Sequence, residues 1–260
     1  MSQFNYYDNI AHLYDRTRWM TESVAEEIAE FILELVKATP TTSFLEPGVG
    51  TGLNVLPLVK RGYSVTGIDI SQEMIDRFRQ KLHEIPLNLK LIHADASQLP
   101  FTDCSFDVVL TVNMIHTVAN WQQFLREIDR VLKPQGFYLN ARWITPPARL
   151  EFENYLRAIL AEYRVEPRSK VVEIDIESYF QSQGYQSNYA IASEWTVSNS
   201  VEELLSFYKL KAYGLCWSVS DKIFKRIIKK FEEFCVKKYG SLTRQLSSQA
   251  KYEVWIYAAC

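Results

Sequence analysis

The sequence has few cysteines and histidines and no long apolar run. Its four cysteines and four histidines form neither a CxxC pair nor a metal-ligand pattern. This predicts free thiols of a reducing cytoplasm and no metal site. The most apolar stretch, 108–115, is interrupted by Thr111 and Asn113 and is too short to span a bilayer. The first residues lack an export-signal pattern, so we expect a soluble, cytoplasmic protein without stable membrane insertion.

Positive and negative charges are nearly balanced in the sequence. Lys and Arg number 29 against 31 Asp and Glu, which gives a formal net charge of −2. Such a chain exerts no long-range attraction on polyanions, so we do not expect nucleic acid as a partner. The segment 221–240 departs from this balance, with seven Lys or Arg against three acidic residues. It leaves open contact with RNA or anionic lipid, although a solvated helix face is the simpler interpretation.

Helix-like and strand-like segments alternate between residues 20 and 145. The alternation is typical of βαβ units and predicts an α/β fold with a mostly parallel sheet. The predicted strands are 42–45, 64–70, 89–93, 106–112 and 137–143. After Thr145 the pattern becomes irregular, with predicted helices at 148–163, 176–183, 201–213 and 221–239, and strands at 187–196 and 252–259. Together these segments predict a seven-stranded sheet with helices on both faces.

A glycine-rich turn follows the first predicted strand. Gly48, Gly50 and Gly52 would let the backbone approach a ligand closely, because no side chain fills the space. The third glycine comes one residue early for the G-x-G-x-x-G turn of nicotinamide dinucleotide sites. Glu46 precedes the turn and suits a cationic amine better than a pyrophosphate. The turn therefore predicts a ligand other than a nicotinamide dinucleotide.

Acidic side chains follow the next two predicted strands. Asp69 lies 19 residues after Gly50, where a carboxylate can accept both hydroxyls of a ribose. Asp95 follows the third strand at the same edge and could receive the exocyclic amine of adenine. Each acid could instead cap a helix or a loop, but Ser71 already supplies a cap after Asp69. The joint pattern predicts a nucleoside-containing ligand.

Five motifs in order carry a family resemblance. They are LEPGVGTG (45–52), GIDIS (67–71), HADASQLPF (93–101), FDVVLTVNMIH (106–116) and VLKPQGFYL (131–139). The set resembles the class I methyltransferases that use S-adenosylmethionine, in particular the ubiquinone-biosynthesis-like or methyltransferase type 11 group. The first motif of that group commonly begins with Asp, and this chain has Glu there. The resemblance implies a Rossmann-like fold, S-adenosylmethionine as cofactor and S-adenosylhomocysteine as product.

The resemblance also implies a set of cofactor-binding residues. Glu46, the glycine turn and Asn113 would hold the methionine part, and Asp69 would hold the ribose. The adenine would lie between Ile70 and Met74, and an N-terminal segment would fold over the cofactor. The complete implied set is Glu46, Gly48, Gly50, Gly52, Asp69, Ile70, Met74, Asp95, Ala96, Asn113, Tyr14 and Arg18.

His116 follows the fourth strand near the expected methyl group and is the candidate catalytic base. It could equally form the pocket wall, because methyl transfer to a nucleophilic acceptor needs mainly proximity and alignment. The residues predicted for the substrate pocket are Tyr7, His116, Trp143, Trp195, Tyr208 and Trp217. Their rings favour a small, apolar or aromatic acceptor, unless they only build the core of the cover.

The sequence therefore predicts one domain in two parts. Residues 1–145 would form a lid segment and the S-adenosylmethionine-binding core, and residues 146–260 a helical substrate cover with the last strands. The expected function is methyl transfer to a small molecule by a monomer or homodimer. The alternatives are an RNA methyltransferase and a catalytically inactive regulatory protein that binds the cofactor.

Overall fold

Seven strands form one sheet among the residues that the structure describes. The computed structural model describes residues 6–163, 165 and 174–259. The strands are β1 (Ser43–Pro47), β2 (Ser64–Asp69), β3 (Leu89–His93), β4 (Phe106–Val112), β5 (Leu132–Ile144), β6 (Gln186–Ser200) and β7 (Gln245–Ala258). Their spatial order is β3-β2-β1-β4-β5-β7-β6. Strands β1 to β5 pair in parallel, and β7 is antiparallel to both β5 and β6. The predicted seven-stranded, mostly parallel α/β sheet is confirmed.

Several helices of the described chain begin where a side chain caps them. The side chains of Thr21, Ser71 and Asn120 accept hydrogen bonds from backbone N–H groups three residues further on. The helices are α1 (Tyr6–Ile10), α2 (Glu22–Leu35), α3 (Leu56–Lys60), α4 (Gln72–Gln80), α5 (Trp121–Val131), α6 (Pro147–Glu162), α7 (Ile176–Ser182), α8 (Val201–Lys209) and α9 (Asp221–Tyr239). In the described part of the chain, no helix has both the length and the apolar character needed to cross a membrane.

Apolar side chains pack on both faces of the sheet. Helices α2 and α3 bury residues such as Ile28, Ile32 and Leu58 against one face. Helices α5 and α7 bury residues such as Phe124 and Phe180 against the other. The central strand β4 carries β-branched and apolar side chains that suit burial on both faces. The sheet thus holds the ends of β1 to β4 rigidly at one edge.

Helices α6, α8 and α9, which we name the cover after their predicted role, have an apolar cluster of their own. Helices α6, α8 and α9 share this cluster, in which Phe152, Leu204 and Phe231 are buried. The lysines of α9 lie on its outer face, where Lys230 pairs with Glu162 of α6. The basic segment recognised in the sequence is therefore the solvated face of a helix packed on its neighbours.

Three predicted boundaries in this half are wrong. Strand β6 ends at Ser200 and not at residue 196. Helix α8 ends at Lys209 and not near residue 213, because Lys211 has a positive φ of 52° and turns the chain. Strand β7 begins at Gln245 and not at residue 252. Its first half is polar, with small and amide side chains that alternate in exposure, so the apolar pattern of the later residues does not reach it.

Candidate functional site

The glycine turn that follows β1 leaves open space beside the end of the sheet. Gly48 and Gly50 have positive φ angles of 74° and 54°, where side chains are strained. The N–H of Gly48 donates to the carbonyl of Ile68 over 2.7 Å and ties the turn to β2. A Cβ at Gly48 would lie 2.6 Å from Cγ of Met114, whereas a Cβ at Gly50 would meet no atom within 4 Å. A ligand can therefore reach the backbone at Gly50.

Asp69 ends β2 beside this turn. Its Oδ2 accepts a hydrogen bond from the N–H of Gly50 at 2.8 Å, and its Oδ1 accepts one from the N–H of Ser71 at 2.8 Å. Burial raises the pKa of Asp69, and these two hydrogen bonds oppose that rise. Each carboxylate oxygen has further lone-pair capacity. Asp69 can therefore hold the turn and still accept two hydroxyl groups.

Glu46 lies on β1 with its carboxyl group completely buried. Its Oε1 accepts a hydrogen bond from Nδ2 of Asn54 at 2.7 Å. Its Oε2 has no hydrogen-bond partner in the described part of the chain. Burial raises the pKa of Glu46 well above the ordinary value, and the negative charge of Asp69 adds to that rise. A buried carboxyl oxygen without a partner is costly, and a cationic donor would satisfy it.

A cleft of about 330 Å³ opens at the ends of β1 to β4. This is the edge at which open parallel sheets bind ligands. Ile70 is 57% exposed there although it is large and apolar, as suits a side chain that contacts a ligand. The predicted residues that line the cleft are Tyr7, Tyr14, Gly48, Gly50, Asp69, Ile70, Met74, Asp95, Ala96 and Asn113. The fold thus brings together residues from five separate segments of the sequence.

The wall that follows β4 is mostly absent from the sequence prediction. Asn113 has a positive φ of 49°, and its N–H donates to the carbonyl of Ala141 at 3.0 Å. This turn directs the following residues across the cleft. Those that complete its wall are Met114, Thr117, Val118, Ala119 and Asn120. They contain no glycine or charged group, so only their position after a central strand could have indicated them.

The N-terminal segment covers one side of the cleft. Asp15 anchors it, because its carboxylate accepts a hydrogen bond from Thr51 and forms an ion pair with Lys81 at 2.6 Å. Tyr7 and Tyr14 line the cleft from this segment. Burial raises the pKa of Tyr7, so this phenol stays neutral at pH 7. The segment is therefore held over the cleft by contacts to the glycine turn and the end of α4.

His116 borders the cleft without lining it. It lies in the 3-10 turn Ile115–Thr117, and its side chain is exposed while Thr117 and Val118 line the cleft. Desolvation by the surrounding protein and the positive charge of Arg142 both lower the pKa of His116. The ring is therefore neutral at pH 7. Its catalytic role stays a prediction.

Two predicted pocket residues lie on the face of the sheet beyond the cleft lining. Trp143 of β5 is buried, with its ring centroid 6.4 Å from that of Trp19. Trp195 of β6 donates from Nε1 to the carbonyl of Trp19 at 2.7 Å. Both rings therefore pack against the residues that join the N-terminal segment to α2.

The other two predicted pocket residues belong to the cover. Tyr208 is buried in the cluster of α6, α8 and α9. Trp217 contacts Tyr7 edge-on, with ring centroids 5.6 Å apart. Trp217 thus contacts a residue of the cleft lining directly, while Tyr208 is buried among the helices.

Three predicted cofactor residues lie outside the lining: Glu46, which is fully buried on β1, Gly52 and Arg18. A Cβ at Gly52 would come within 2.5 Å of the ring of Phe78, so glycine there permits α4 to pack. The guanidinium of Arg18 lies over the ring of Tyr14 at 4.0 Å. Arg18 therefore stands directly behind a residue of the cleft wall.

A glycine turn and acidic side chains at neighbouring strand ends form the arrangement of a nucleoside-binding α/β protein. A family model described as a methyltransferase domain matches residues 45–140. A demethylmenaquinone methyltransferase of Tropheryma whipplei (strain Twist) is 31% identical over 182 residues, which are 66% of this chain and 71% of the relative. A phosphatidylethanolamine N-methyltransferase of Cereibacter sphaeroides is 40% identical over 94 residues, 35% of this chain and 46% of the relative.

A solved structure shares the fold over almost the whole chain. It is the Haemonchus contortus phosphoethanolamine N-methyltransferase 2 in complex with S-adenosyl-L-methionine, with a TM-score of 0.56 and 14% identity. The match covers 98% of this chain and 58% of that one. The chain described here belongs to the class I S-adenosylmethionine-dependent methyltransferases. It is a methyltransferase, and its cofactor is S-adenosylmethionine.

Proposed function

We propose that this enzyme methylates a small, largely apolar or aromatic molecule bound between the cleft and the C-terminal cover. The observation that carries the proposal is the cleft itself, because two acidic anchors and an open glycine backbone meet there beside an apolar wall. When bound, S-adenosylmethionine supplies a methyl group activated by its sulfonium. The two relatives above are named for a demethylmenaquinone and a phosphatidylethanolamine, which are small apolar or lipid substrates.

The residues of the cleft fit the cofactor part by part. Gly50 has open space where a side chain would stand, so the backbone can approach the ligand. Asp69 would accept the ribose hydroxyls with the lone pairs that Gly50 and Ser71 leave free. The unpartnered Oε2 of Glu46 would face a cationic amine. The cofactor would thus occupy the open space at Gly50, the free lone pairs of Asp69 and the unpartnered oxygen of Glu46.

The apolar residues would hold the base and exclude water. Ile70 and Met74 would flank the adenine, with Asp95 and Ala96 at its edge. Tyr7 would close the opposite side, since its segment is anchored over the cleft. Excluding water strengthens the polar contacts inside and protects the reacting groups.

The solvated basic face of α9 supports a small acceptor over RNA. Two of its lysines pair with acids of α6, Lys230 with Glu162 and Lys238 with Glu151. Among the described residues, none of the basic side chains of α9 lines the cleft, so this helix adds no positive groove to it. An RNA enzyme would need one to neutralise phosphates along the strand.

Calorimetry and a turnover screen test the proposal together. We expect S-adenosylmethionine to bind the purified chain at one site, and S-adenosylhomocysteine to be released with apolar phenols, quinols, amines or acids. Short RNAs in the same screen are the comparison. Turnover with RNA alone would overturn the small-molecule assignment, and cofactor binding without any turnover would indicate the regulatory alternative.

A further inference from the structure

Arg149 is a buried cation without a carboxylate partner. It lies in the first turns of α6 and is only 6% exposed. Its Nη1 donates to the carbonyl of Thr17 at 2.9 Å, and its guanidinium lies 4.5 Å from the ring centres of both Trp19 and Tyr213. Within the described residues it forms no ion pair. Burying a charge without a counterion is unfavourable, so a bound anion would stabilise Arg149.

A second arginine stands next to it without a counterion. Arg18 forms no ion pair with the described residues, and its buried Nε has no hydrogen-bond partner. Its guanidinium lies over the rings of Tyr14 at 4.0 Å and Trp143 at 5.6 Å. Burial, with a smaller contribution from the neighbouring charge of Arg18, lowers the pKa of Arg149 to about 10, against the opposing effects of Tyr208, Glu153 and Glu203. The two cations thus lie near each other inside the protein, and Tyr14, which contacts Arg18, also lines the cleft.

Buried donors without a hydrogen-bond partner among the described residues lie on the elements that pack around the two arginines, and one of them, Tyr252, also lies near the carboxyl group of Glu46. We name them the donor cluster, and its members are Arg18 Nε, Trp19 Nε1, Trp143 Nε1, Ser193 Oγ, Tyr208 Oη and Tyr252 Oη. Trp143, Tyr252 and Ser193 lie side by side on β5, β7 and β6, because Tyr252 pairs with both neighbours. Tyr208 is close enough to Arg149 for that charge to lower its pKa, against the larger rise from burial.

The chemistry of this cluster selects its ligand. Arginine and tryptophan side chains only donate hydrogen bonds, and the three hydroxyls can donate as well. Ordered water could satisfy some of these groups, but water does not neutralise two cations. A carboxylate or a phosphate supplies several acceptor lone pairs and the missing negative charge, and it fits the planar guanidinium fork.

We propose that the donor cluster and Arg149 bind an oxyanion of the methyl acceptor, a carboxylate or a phosphate, while its apolar part extends toward the cleft. This rests on the proposed function and adds the chemical class of the acceptor. The aromatic rings around the arginines suit the apolar part. The cofactor also has a carboxylate, and Arg18, directly behind Tyr14 of the cleft wall, is the arginine nearer to the cleft. Arg149 lies beyond Trp19 and serves the acceptor.

Matched pairs of small probes test the proposal in the presence of S-adenosylhomocysteine. The acids are 4-hydroxybenzoate and phenyl phosphate, and the neutral counterparts are 4-hydroxybenzamide and phenol. We expect at least one acid to bind wild-type protein about tenfold or more tightly than its counterpart, as charge-assisted hydrogen bonds do. In Arg149→Met that preference should fall to about twofold or less, with Arg149→Lys between the two.

The control is Arg157→Met on the same helix, where the arginine is exposed and pairs with Glu153. It should keep the wild-type preference. Equal binding of acids and neutral probes by the wild type overturns the proposal, and so does an equal loss in the Arg157 variant. If Arg149→Met does not fold, Arg149→Lys decides: an unchanged preference for the acid overturns the proposal.

The affinity of S-adenosylmethionine separates the two possible sources of the anion. We expect Arg149→Met or Arg149→Lys to bind the cofactor as wild type does. A parallel loss of cofactor and acid affinity would assign the arginine to the methionine carboxylate and overturn the proposal. Absence of cofactor binding by the wild type would instead contradict the proposed function, whatever the acids do.

Discussion

The carboxylate of Asp69 joins β2 to the glycine turn of β1 through the N–H of Gly50, over 2.8 Å. The same carboxylate faces the cleft that we assign to the cofactor. One side chain therefore has both a structural and a proposed binding role. Substitutions that separate these roles are the most informative test of the cleft.

Asp69→Asn keeps one carbonyl oxygen for the turn and loses the negative charge. We expect the thermal midpoint to fall modestly, because the amide NH2 cannot accept from one of the two backbone N–H groups. The Kd of S-adenosylmethionine should rise tens-fold, because each hydrogen bond to a charged acceptor is worth about 1.5–3 kcal/mol. Titration calorimetry measures the Kd of S-adenosylmethionine, and scanning calorimetry the thermal midpoint, for the variant and for a control. The control is Asp76→Asn on the exposed part of α4, and equal affinities of all three proteins would reject the ribose assignment.

Gly50→Ala and Gly62→Ala form a matched pair. Both glycines have positive φ angles, 54° and 87°, and open space where a Cβ would stand. Each substitution should lower the free energy of unfolding by about 1–2 kcal/mol through backbone strain. Only Gly50→Ala should weaken binding of S-adenosylmethionine, about tenfold or more, because its methyl group enters the cleft and would displace several contact atoms. Equal affinity of the two variants would contradict close approach of the cofactor at Gly50.

Glu46 predicts a pH dependence of stability. Its raised pKa means that the folded state keeps a proton that the unfolded chain releases. Stability should therefore fall as pH rises from about 4.3, the ordinary glutamate pKa, toward the raised value in the fold. Glu46→Gln removes this titration, so its free energy of unfolding should decline less between pH 5 and pH 8. Denaturant unfolding measures it, with Glu34→Gln on the exposed face of α2 as control; parallel curves for Glu46→Gln and wild type would contradict the protonated state.

His116→Asn tests the proposed catalytic base. The lowered pKa leaves the imidazole neutral at pH 7, ready to accept a proton, so wild-type turnover should fall only at lower pH. For this role the exposed side chain must turn toward the cleft when the acceptor binds. We then expect kcat to drop by about 10²–10⁴ in the variant, with the acidic limb of the pH profile lost. His12→Asn is the control, and a normal rate and profile in His116→Asn would leave alignment as the main source of catalysis.

The cofactor half of the fold could be predicted because its signals are local. Strands β3 and β4 have the predicted bounds, Leu89–His93 and Phe106–Val112. Parallel strands that alternate with helices bring their carboxyl ends to one edge, so the positions of Gly50, Asp69 and Asp95 in the sequence were enough to predict a shared cleft.

The interior behind the cleft could not be predicted in the same way. Trp143 and Tyr252 become neighbours only because β7 pairs with β5 across more than a hundred residues of sequence. Arg149 follows a proline pair at the start of a helix and looks like any exposed helical arginine. Its burial depends on Trp19 and Tyr213, which come from opposite ends of the chain. No local sequence pattern indicates that these three residues contact one another.

The position of β7 between β5 and β6 has a consequence for how the protein is made. The strand that joins the two halves of the sheet is synthesised after both of its partners. During translation, β1 to β5 can pair in parallel early, while β6 must wait with both edges open. The row formed by Trp143, Tyr252 and Ser193 exists only once residues 245–258 have left the ribosome. During translation the cofactor cleft can therefore form before the proposed acceptor site is complete.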